Sequence, residues 1–176
     1  MGLRMLARTV SASLLGVEGL PVRVEVDVAF GLPSMTIVGL AGSAVQEARE
    51  RVRSALRNSG FELPARRITV NLAPADLPKE GTGYDLAIAI GILSASGQLP
   101  NVSLTLDDVA LLGELALDGG LQAVAGAMAL VAAARDAQIG AAMVPLANQA
   151  EAASVAGVAV FAARSLGDVP VDSSTC

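Results

Sequence analysis

The amino-acid sequence predicts an α+β domain in which helices cover a mixed β-sheet, and three observations favour this class. Strand patterns fill about the first 40 residues, and strand and helix patterns alternate after them. The length of 176 residues fits one domain with a buried core. Apolar residues make up 53% of the chain but aromatic residues only 2%, so Ala, Val and Leu must fill a closely packed core.

The N-terminal segment has the two-residue period of β-strands. The valines from Val22 to Val28 alternate with charged residues, which is typical of a half-buried strand. Gly-Leu-Pro turns flank this run, and another short strand is predicted over 35–39, so a hairpin or meander is expected. An earlier strand is expected over 8–15.

A helix is predicted to follow over 43–58. Ser43 is placed as its N-cap and Gln46 completes a capping box, while Asn58-Ser59-Gly60 ends the apolar pattern. The later elements are predicted as strand 67–72, helix 85–96, strand 109–115, helix 125–137, strand 141–144, helix 149–155 and strand 158–161.

The net charge of −5 argues against a domain that coats nucleic acid with its whole surface. The charge is uneven, because residues 1–67 hold nine arginines against six acidic residues, which can indicate one basic face. A single cysteine, Cys176, excludes an intrachain disulfide framework, and a cytoplasmic location is expected. The longest charge-free run, 86–106, contains Gly, Pro and Asn and predicts a buried helix rather than a membrane span.

Catalytic side chains are few. The chain has no histidine, so a Ser–His–Asp triad is impossible and only a Ser–Lys pair remains. The one lysine, Lys79, is followed by Glu80, so a solvated ion pair and a poor base are expected. The carboxylates show no metal-ligand spacing.

A glycine turn, Gly81-Thr82-Gly83, is predicted between a strand and a helix, where helix amides can bind phosphate. No G-x-x-x-x-G-K-[ST] string occurs in the sequence. A tight turn that begins the helix at Asp85 is the favoured interpretation, and no ATP binding is expected.

Arginines form the remaining candidate site. Arg49, Arg53 and Arg57 follow i, i+4, i+8 spacing and so line one helix face, and Arg66 and Arg67 come soon after. Such a group can neutralise the phosphates of DNA. It can equally be a solvated face or pair with carboxylates of another subunit, and both alternatives stay open.

Several strings carry a resemblance to a known family. They are Gly31-Leu32-Pro33, Thr36-Ile37-Val38-Gly39-Leu40, the runs 50–61 and 64–77, Lys79-Glu80-Gly81, Asp85-Leu86 and the run 113–119. Over about residues 4–166 the sequence resembles the N-terminal domain of the ComM/YifB family of magnesium-chelatase-related AAA+ proteins. It departs from the family's usual Gly-Leu-Pro-Asp, which appears here as Gly39-Leu40-Ala41-Gly42.

The resemblance implies a Lon-protease-type domain over 1–167, and the polar composition of 168–176 predicts a disordered tail. It implies a hexameric branch-migration motor, and the arginine group and the missing dyad favour an oligomerisation and DNA-contacting scaffold for that motor. ATP and magnesium then belong to an AAA+ ATPase domain absent from these 176 residues. A purely structural protein-interaction domain is the alternative, and a diverged Ser–Lys peptidase is a further one.

Comparison with Lon also implies that the peptidase dyad is missing. Gly83 falls at the position of the nucleophilic serine, and the position of the lysine falls near Met128. The implied remnant of the peptidase site consists of Lys79, Gly81, Thr82, Gly83, Asp85 and Met128.

Overall fold

The computed structural model describes residues 5–99 and 106–169, which form a mixed β-sheet with helices on both faces. The described strands are β1 (Leu6–Leu15), β2 (Glu18–Ala29), β3 (Ser34–Val38), β4 (Arg67–Ala73), β5 (Val109–Leu111), β6 (Glu114–Leu115), β7 (Leu121–Gln122), β8 (Ala141–Pro145) and β9 (Ala159–Ala163). The α-helices are α1 (Ser43–Gln46), α2 (Ala48–Asn58), α3 (Asp85–Ala95), α4 (Ala127–Asp136) and α5 (Gln149–Ala153). The predicted α+β class is confirmed.

Seven strands form the main sheet in the order β3-β4-β2-β1-β5-β8-β9, and β6 pairs with β7 in a separate hairpin. Strand β2 runs antiparallel to both of its neighbours, β1 and β4, while the other neighbouring pairs are parallel. Gly16, at φ +65°, lies in the turn that joins β1 to β2. The two-residue period of the valines in β2 places them all on one face, where they are buried.

The core divides into two clusters because side chains alternate across the sheet. Val109 and Leu111 belong to the cluster that contains α2 and α3, whereas Ala110 and Leu112 belong to the cluster that contains α4. Helix α3 is buried almost all round. It approaches the sheet so closely that a Cβ on Gly91 would lie 2.6 Å from Cγ2 of Val26.

One part of the sheet is left without a helical cover among the described residues. This outer sheet face is the outward side of β3, β4, the C-terminal half of β2 and the start of β1, beyond the area on which α4 packs. Its polar residues are Arg8, Glu25, Asp27, Thr36, Arg67, Thr69 and Asn71. Arg8 Nε lies 3.4 Å from Glu25 Oε2, and Asn71 Nδ2 donates to Glu25 Oε1 at 2.9 Å.

The helix predicted over 43–58 is divided, and the capping box is wrong. Gly42 is the N-cap of α1, and α2 starts again after Glu47. The side chain of Gln46 does not return to its own helix start, because its Nε2 donates to the carbonyl oxygen of Ile37 in β3 at 3.0 Å. A tertiary contact therefore replaces the local one.

The strand predicted over 109–115 is also divided. The chain leaves the main sheet after β5, because the amide of Gly113 donates to the carbonyl oxygen of Gly83 at 3.0 Å. Residues Glu114–Leu115 then form β6, which pairs with β7 across a turn at Gly119. This hairpin was not predicted.

Residues 168 and 169, the first two of the predicted tail, are packed against the domain. Asp168 closes the short 3-10 helix Leu166–Asp168 and its Oδ2 accepts a hydrogen bond from the amide of Arg164 at 3.1 Å, and Val169 is buried. The rest of the predicted tail, 170–176, lies outside the described residues. Within the described ranges no helix is long and apolar enough to cross a membrane.

Candidate functional site

The loop 79–85, whose last residue begins α3, is bonded tightly to the segment after β3. The amide of Lys79 donates to the carbonyl oxygen of Leu40 at 3.0 Å, and its carbonyl oxygen accepts from the amide of Gly42 at 2.9 Å. Lys79 Nζ donates to the carbonyl oxygen of Gly39 at 2.8 Å and to that of Pro74. Lys79 therefore joins two loops through both its backbone and its side chain.

The solvated Lys79–Glu80 ion pair expected from the sequence is wrong. Lys79 is fully buried, and its ammonium contacts backbone carbonyls instead of a carboxylate. Burial lowers the pKa of Lys79, an effect that the charge of Asp76 opposes. The position of Lys79 next to Glu80 in the sequence does not reveal that the fold directs the lysine side chain inward.

A small cavity of about 150 Å³ lies beside this loop. Its lining includes Gly81, Thr82 and Gly83 from the loop, Tyr84 and Leu130. A Cβ on Gly83 would meet Cγ1 of Val124 at 3.5 Å, an ordinary contact distance. Space for a Cβ therefore exists at Gly83.

The other residues of the implied peptidase remnant do not converge on this cavity. Met128 is half-exposed and its amide donates to Glu151 Oε1 at 3.1 Å, while Leu130 reaches the cavity. The ammonium of Lys79 is bound to Gly39 and Pro74. Only the three residues Gly81, Thr82 and Gly83 of the set lie together around the cavity.

Asp85 begins α3 and is held in a buried ion pair. Arg51 Nε donates to Asp85 Oδ2 at 2.6 Å and Arg51 Nη2 donates to Oδ1 at 3.1 Å. The amide of Leu115 donates to Oδ2 at 3.0 Å. Burial raises the pKa of Asp85, against the opposing effects of Arg51 and the Leu115 amide, and the Asp85 hydrogen bond raises the pKa of Arg51. Asp85 thus joins α3 to α2 and β6.

Arg51 was missed in the sequence because it lies outside the i, i+4, i+8 series. Residues two apart on a helix point about 200° apart, so Arg51 projects away from Arg53. The sequence signal for this ion pair was Asp85, a carboxylate at the start of the apolar α3 segment. A carboxylate buried there requires a partner, because a buried charge must be paired. Thr82 Oγ1 donates to Glu114 Oε2 beside this pair.

Three of the predicted arginines converge elsewhere, on a cleft of about 270 Å³. Arg53 and Arg57 project into it from α2, and Arg66 approaches from the segment before β4; with Ser34, these residues define the arginine cleft. Arg53 Nη1 lies 3.3 Å from Glu50 Oε1. Among the described residues, neither Arg57 nor Arg66 has an ion-pair partner.

The other two predicted arginines do not line the cleft. Arg49 is exposed one turn earlier on α2, where its Nε donates to the carbonyl oxygen of Gln46 at 3.0 Å. Arg67 begins β4 and projects onto the outer sheet face, because adjacent strand residues point to opposite sides. The five predicted contacts therefore divide into a cleft of three residues and two outlying ones.

An exposed aromatic ring adjoins the arginine cleft. Phe30 is 80% exposed, and the guanidinium carbon of Arg66 lies 4.3 Å from the centre of its ring. Leu32, two residues later, is 87% exposed. Phe30 could not be recognised from the sequence, because Arg66 is 36 residues away in the chain and only the fold brings the two together.

The seven-stranded mixed sheet with helices on both faces has the α+β architecture of a Lon-like module. The family model described as subunit ChlI of Mg-chelatase matches residues 24–148. The chain belongs to this family, within the ComM/YifB group.

Several curated proteins are similar to this chain. Escherichia coli YifB, an uncharacterized protein, is 58% identical over 65% of the chain and 22% of its own length. Competence protein ComM of Haemophilus influenzae is 50% identical over 74% of the chain and 25% of its own length. An uncharacterized Mycobacterium tuberculosis protein is 42% identical over 93% of the chain and 32% of its own length. The chain thus spans between about a fifth and a third of these relatives.

A more distant similarity agrees with the fold. Lon protease of Syntrophomonas wolfei is 24% identical over 139 residues, which are 75% of this chain and 17% of that protein. The Lon-like character expected from the sequence therefore has support from both the comparison and the architecture.

Proposed function

We propose that this chain is the non-catalytic Lon-like N-terminal module of a ComM/YifB-type AAA+ ATPase. In this proposal it serves as an oligomerisation and DNA-contacting scaffold for a hexameric branch-migration motor in the cytoplasm. The observation that carries the DNA contact is the convergence of Arg53, Arg57 and Arg66 on one cleft. Family membership supports the link to an ATPase.

The geometry of loop 79–85 supports a non-catalytic role. A peptidase dyad needs a free hydroxyl and a nearby unprotonated amine. Gly83 offers no hydroxyl, and the only lysine donates its hydrogen bonds to Gly39 and Pro74. A diverged peptidase would hydrolyse casein and lose that activity in a Lys79→Ala variant, whereas this proposal predicts no hydrolysis by either protein.

Loop 79–85 also does not fit a nucleotide phosphate. A phosphate site needs a nearby cation, but the ammonium of Lys79 is turned into the protein. The carboxylate of Glu114, which is negatively charged like a phosphate, contacts Thr82. ATP and magnesium are therefore assigned to an ATPase domain outside these residues.

The arginine cleft supports contact with DNA. A concave site with three guanidinium groups concentrates positive charge on a chain whose net charge is −5. Guanidinium groups bind phosphate oxygens through paired N–H donors. Since Arg57 and Arg66 have no carboxylate partner among the described residues, both are available for a phosphate.

Fluorescence anisotropy with a labelled oligonucleotide across a salt series tests the DNA contact. Arg57→Gln should weaken binding and reduce the slope of log K against log salt by about one unit. Arg135→Gln is the matched control, because Arg135 also lies in the last turn of a helix but outside the cleft. Equal effects of the two substitutions, or no binding by the unsubstituted chain, would reject the contact.

The outer sheet face supports the oligomerisation part. Arginines and carboxylates lie side by side there without a helical cover, as at a polar subunit interface. Sedimentation velocity at several concentrations should show association that Arg8→Glu weakens. A strict monomer at high concentration would favour the purely structural protein-interaction alternative, in which another protein covers this face.

A further inference from the structure

We propose that the arginine cleft and Phe30 together bind an unpaired nucleic-acid strand, with phosphates at the arginines and a base stacked on the phenyl ring. This inference rests on the proposed DNA contact and specifies which form of DNA the site selects. The cation beside an otherwise exposed ring is the observation that carries it.

Phe30 is an unusual residue to leave in water in this chain. The sequence has three phenylalanines and one tyrosine, and the tyrosine is buried, yet Phe30 is 80% exposed. Leu32 beside it is 87% exposed, so the β2–β3 turn presents an apolar tip. Exposed apolar groups that lie together in this way are typical of binding surfaces.

Arg66 links this tip to the phosphate site. Its guanidinium lines the cleft with Arg53 and Arg57, and it also lies 4.3 Å from the centre of the Phe30 ring. The cation fixes the ring through a cation–π contact and leaves most of the ring surface open to solvent. Charge for a phosphate and a flat surface for a base are therefore contiguous.

This pairing fits a single strand better than a duplex. In a duplex the faces of the bases are already stacked on each other, so an exposed ring gains little from them. In an unpaired strand each base has a free face, and stacking on an aromatic side chain contributes about 1–3 kcal/mol per base. The arginines alone would bind phosphates of either form, so selectivity depends on Phe30.

A membrane surface fits these residues less well. Two apolar side chains at one turn bury little area, whereas stable attachment to a bilayer requires more than one weak anchor. One aromatic ring, in contrast, suffices to stack one base.

The test compares labelled oligo(dT) with a duplex of equal length, measured by anisotropy at fixed salt with the 176-residue chain. Phe30→Ala should weaken single-strand binding by about 5- to 150-fold, the factor that corresponds to the stacking contribution. Duplex binding should change less than twofold. Phe30→Trp should retain the preference for the single strand, because indole also stacks.

Phe161→Ala is the matched control, since Phe161 is a 46% exposed phenylalanine on β9, at the other edge of the sheet. Equal loss of single-strand and duplex binding in Phe30→Ala would overturn the inference while leaving the DNA contact intact. Loss of both forms in Arg57→Gln alone, with Phe30→Ala unaffected, would do the same. No binding of either DNA, or binding only to phosphatidylglycerol vesicles, would overturn both proposals.

Discussion

Helix α2 contributes arginines to two regions that differ in how their charge is paired. Arg51 lies in a buried network with Asp85, in which both guanidinium and carboxylate have protein partners. Arg57, a turn and a half later, is exposed and lines a cleft without an ion-pair partner among the described residues. Polar groups that are satisfied internally hold a fold together, whereas those left unpaired are free to bind a partner.

Loop 79–85 and the arginine cleft show the same contrast between internal and open polar groups. Lys79 and Asp85 of loop 79–85 are buried, and the ammonium of Lys79 is bound to carbonyl oxygens. The arginine cleft is open and has an exposed ring beside it. Loop 79–85 therefore joins neighbouring segments of the fold, whereas the arginines without ion-pair partners among the described residues lie on the other side of α2.

Substitution of Arg51 should give the largest effect on stability. Arg51→Met leaves the carboxylate of Asp85 buried without its cation, which costs about 3–5 kcal/mol in free energy of unfolding. Arg53→Met is the control in the same helix, because its ion pair with Glu50 is exposed and should cost under about 1 kcal/mol. Urea denaturation of both variants measures the difference, and equal costs would remove the distinction between the two regions.

The pH dependence of stability should separate Lys79 from the surface arginines. Because burial lowers the pKa of Lys79 below 10.5, the folded chain binds fewer protons than the unfolded chain between that lowered pKa and 10.5. The free energy of unfolding should therefore rise with pH in this window, by about 1.4 kcal/mol per unit of lowering. Denaturation curves of Lys79→Met should lack this rise.

Tyr84 should act with the opposite sign at higher pH. Burial raises its pKa from 10.0 to about 12, so the unfolded chain loses this proton first and stability falls between these values. Tyr84→Phe removes that fall and leaves the rise due to Lys79. An unchanged alkaline profile in Tyr84→Phe would contradict the burial of this hydroxyl.

The smallest effect is expected at Gly83, the residue that the resemblance to Lon places at the nucleophile. Gly83→Ser should change the free energy of unfolding by less than about 0.5 kcal/mol, since the space beside Val124 accepts a Cβ. It should create no hydrolysis of casein, because the ammonium of Lys79 is held by Gly39 and Pro74. Activity in this variant would show that the loop is closer to a working peptidase than its geometry indicates.

Local periodicity predicted most of the elements but few of the side-chain partners. The alternating valines of β2 and the apolar spacing of α2 are properties of one segment, and both are confirmed. Gln46 was misread because its partner, Ile37, belongs to another strand. The predicted strand 109–115 breaks after β5, where the amide of Gly113 donates to the carbonyl oxygen of Gly83. No pattern in the residues around 113 predicts this hydrogen bond.

The arginine site shows the same division. Spacing along α2 correctly placed Arg53 and Arg57 on one side, but Arg66 joins them only because the chain returns after residue 60. Neighbouring position in sequence grouped Arg67 with Arg66, although strand geometry sends it to the other face. Arg51 and Phe30 required the tertiary structure to be recognised.

The burial of Lys79 also has a consequence for chemical labelling. It is the only lysine in the sequence, and its side chain is inaccessible in the folded chain. Amine-reactive reagents at neutral pH should therefore modify Lys79 only when the two loops that it joins separate. The rate of acylation at Lys79 should therefore report how often the fold opens locally, and no probe has to be introduced.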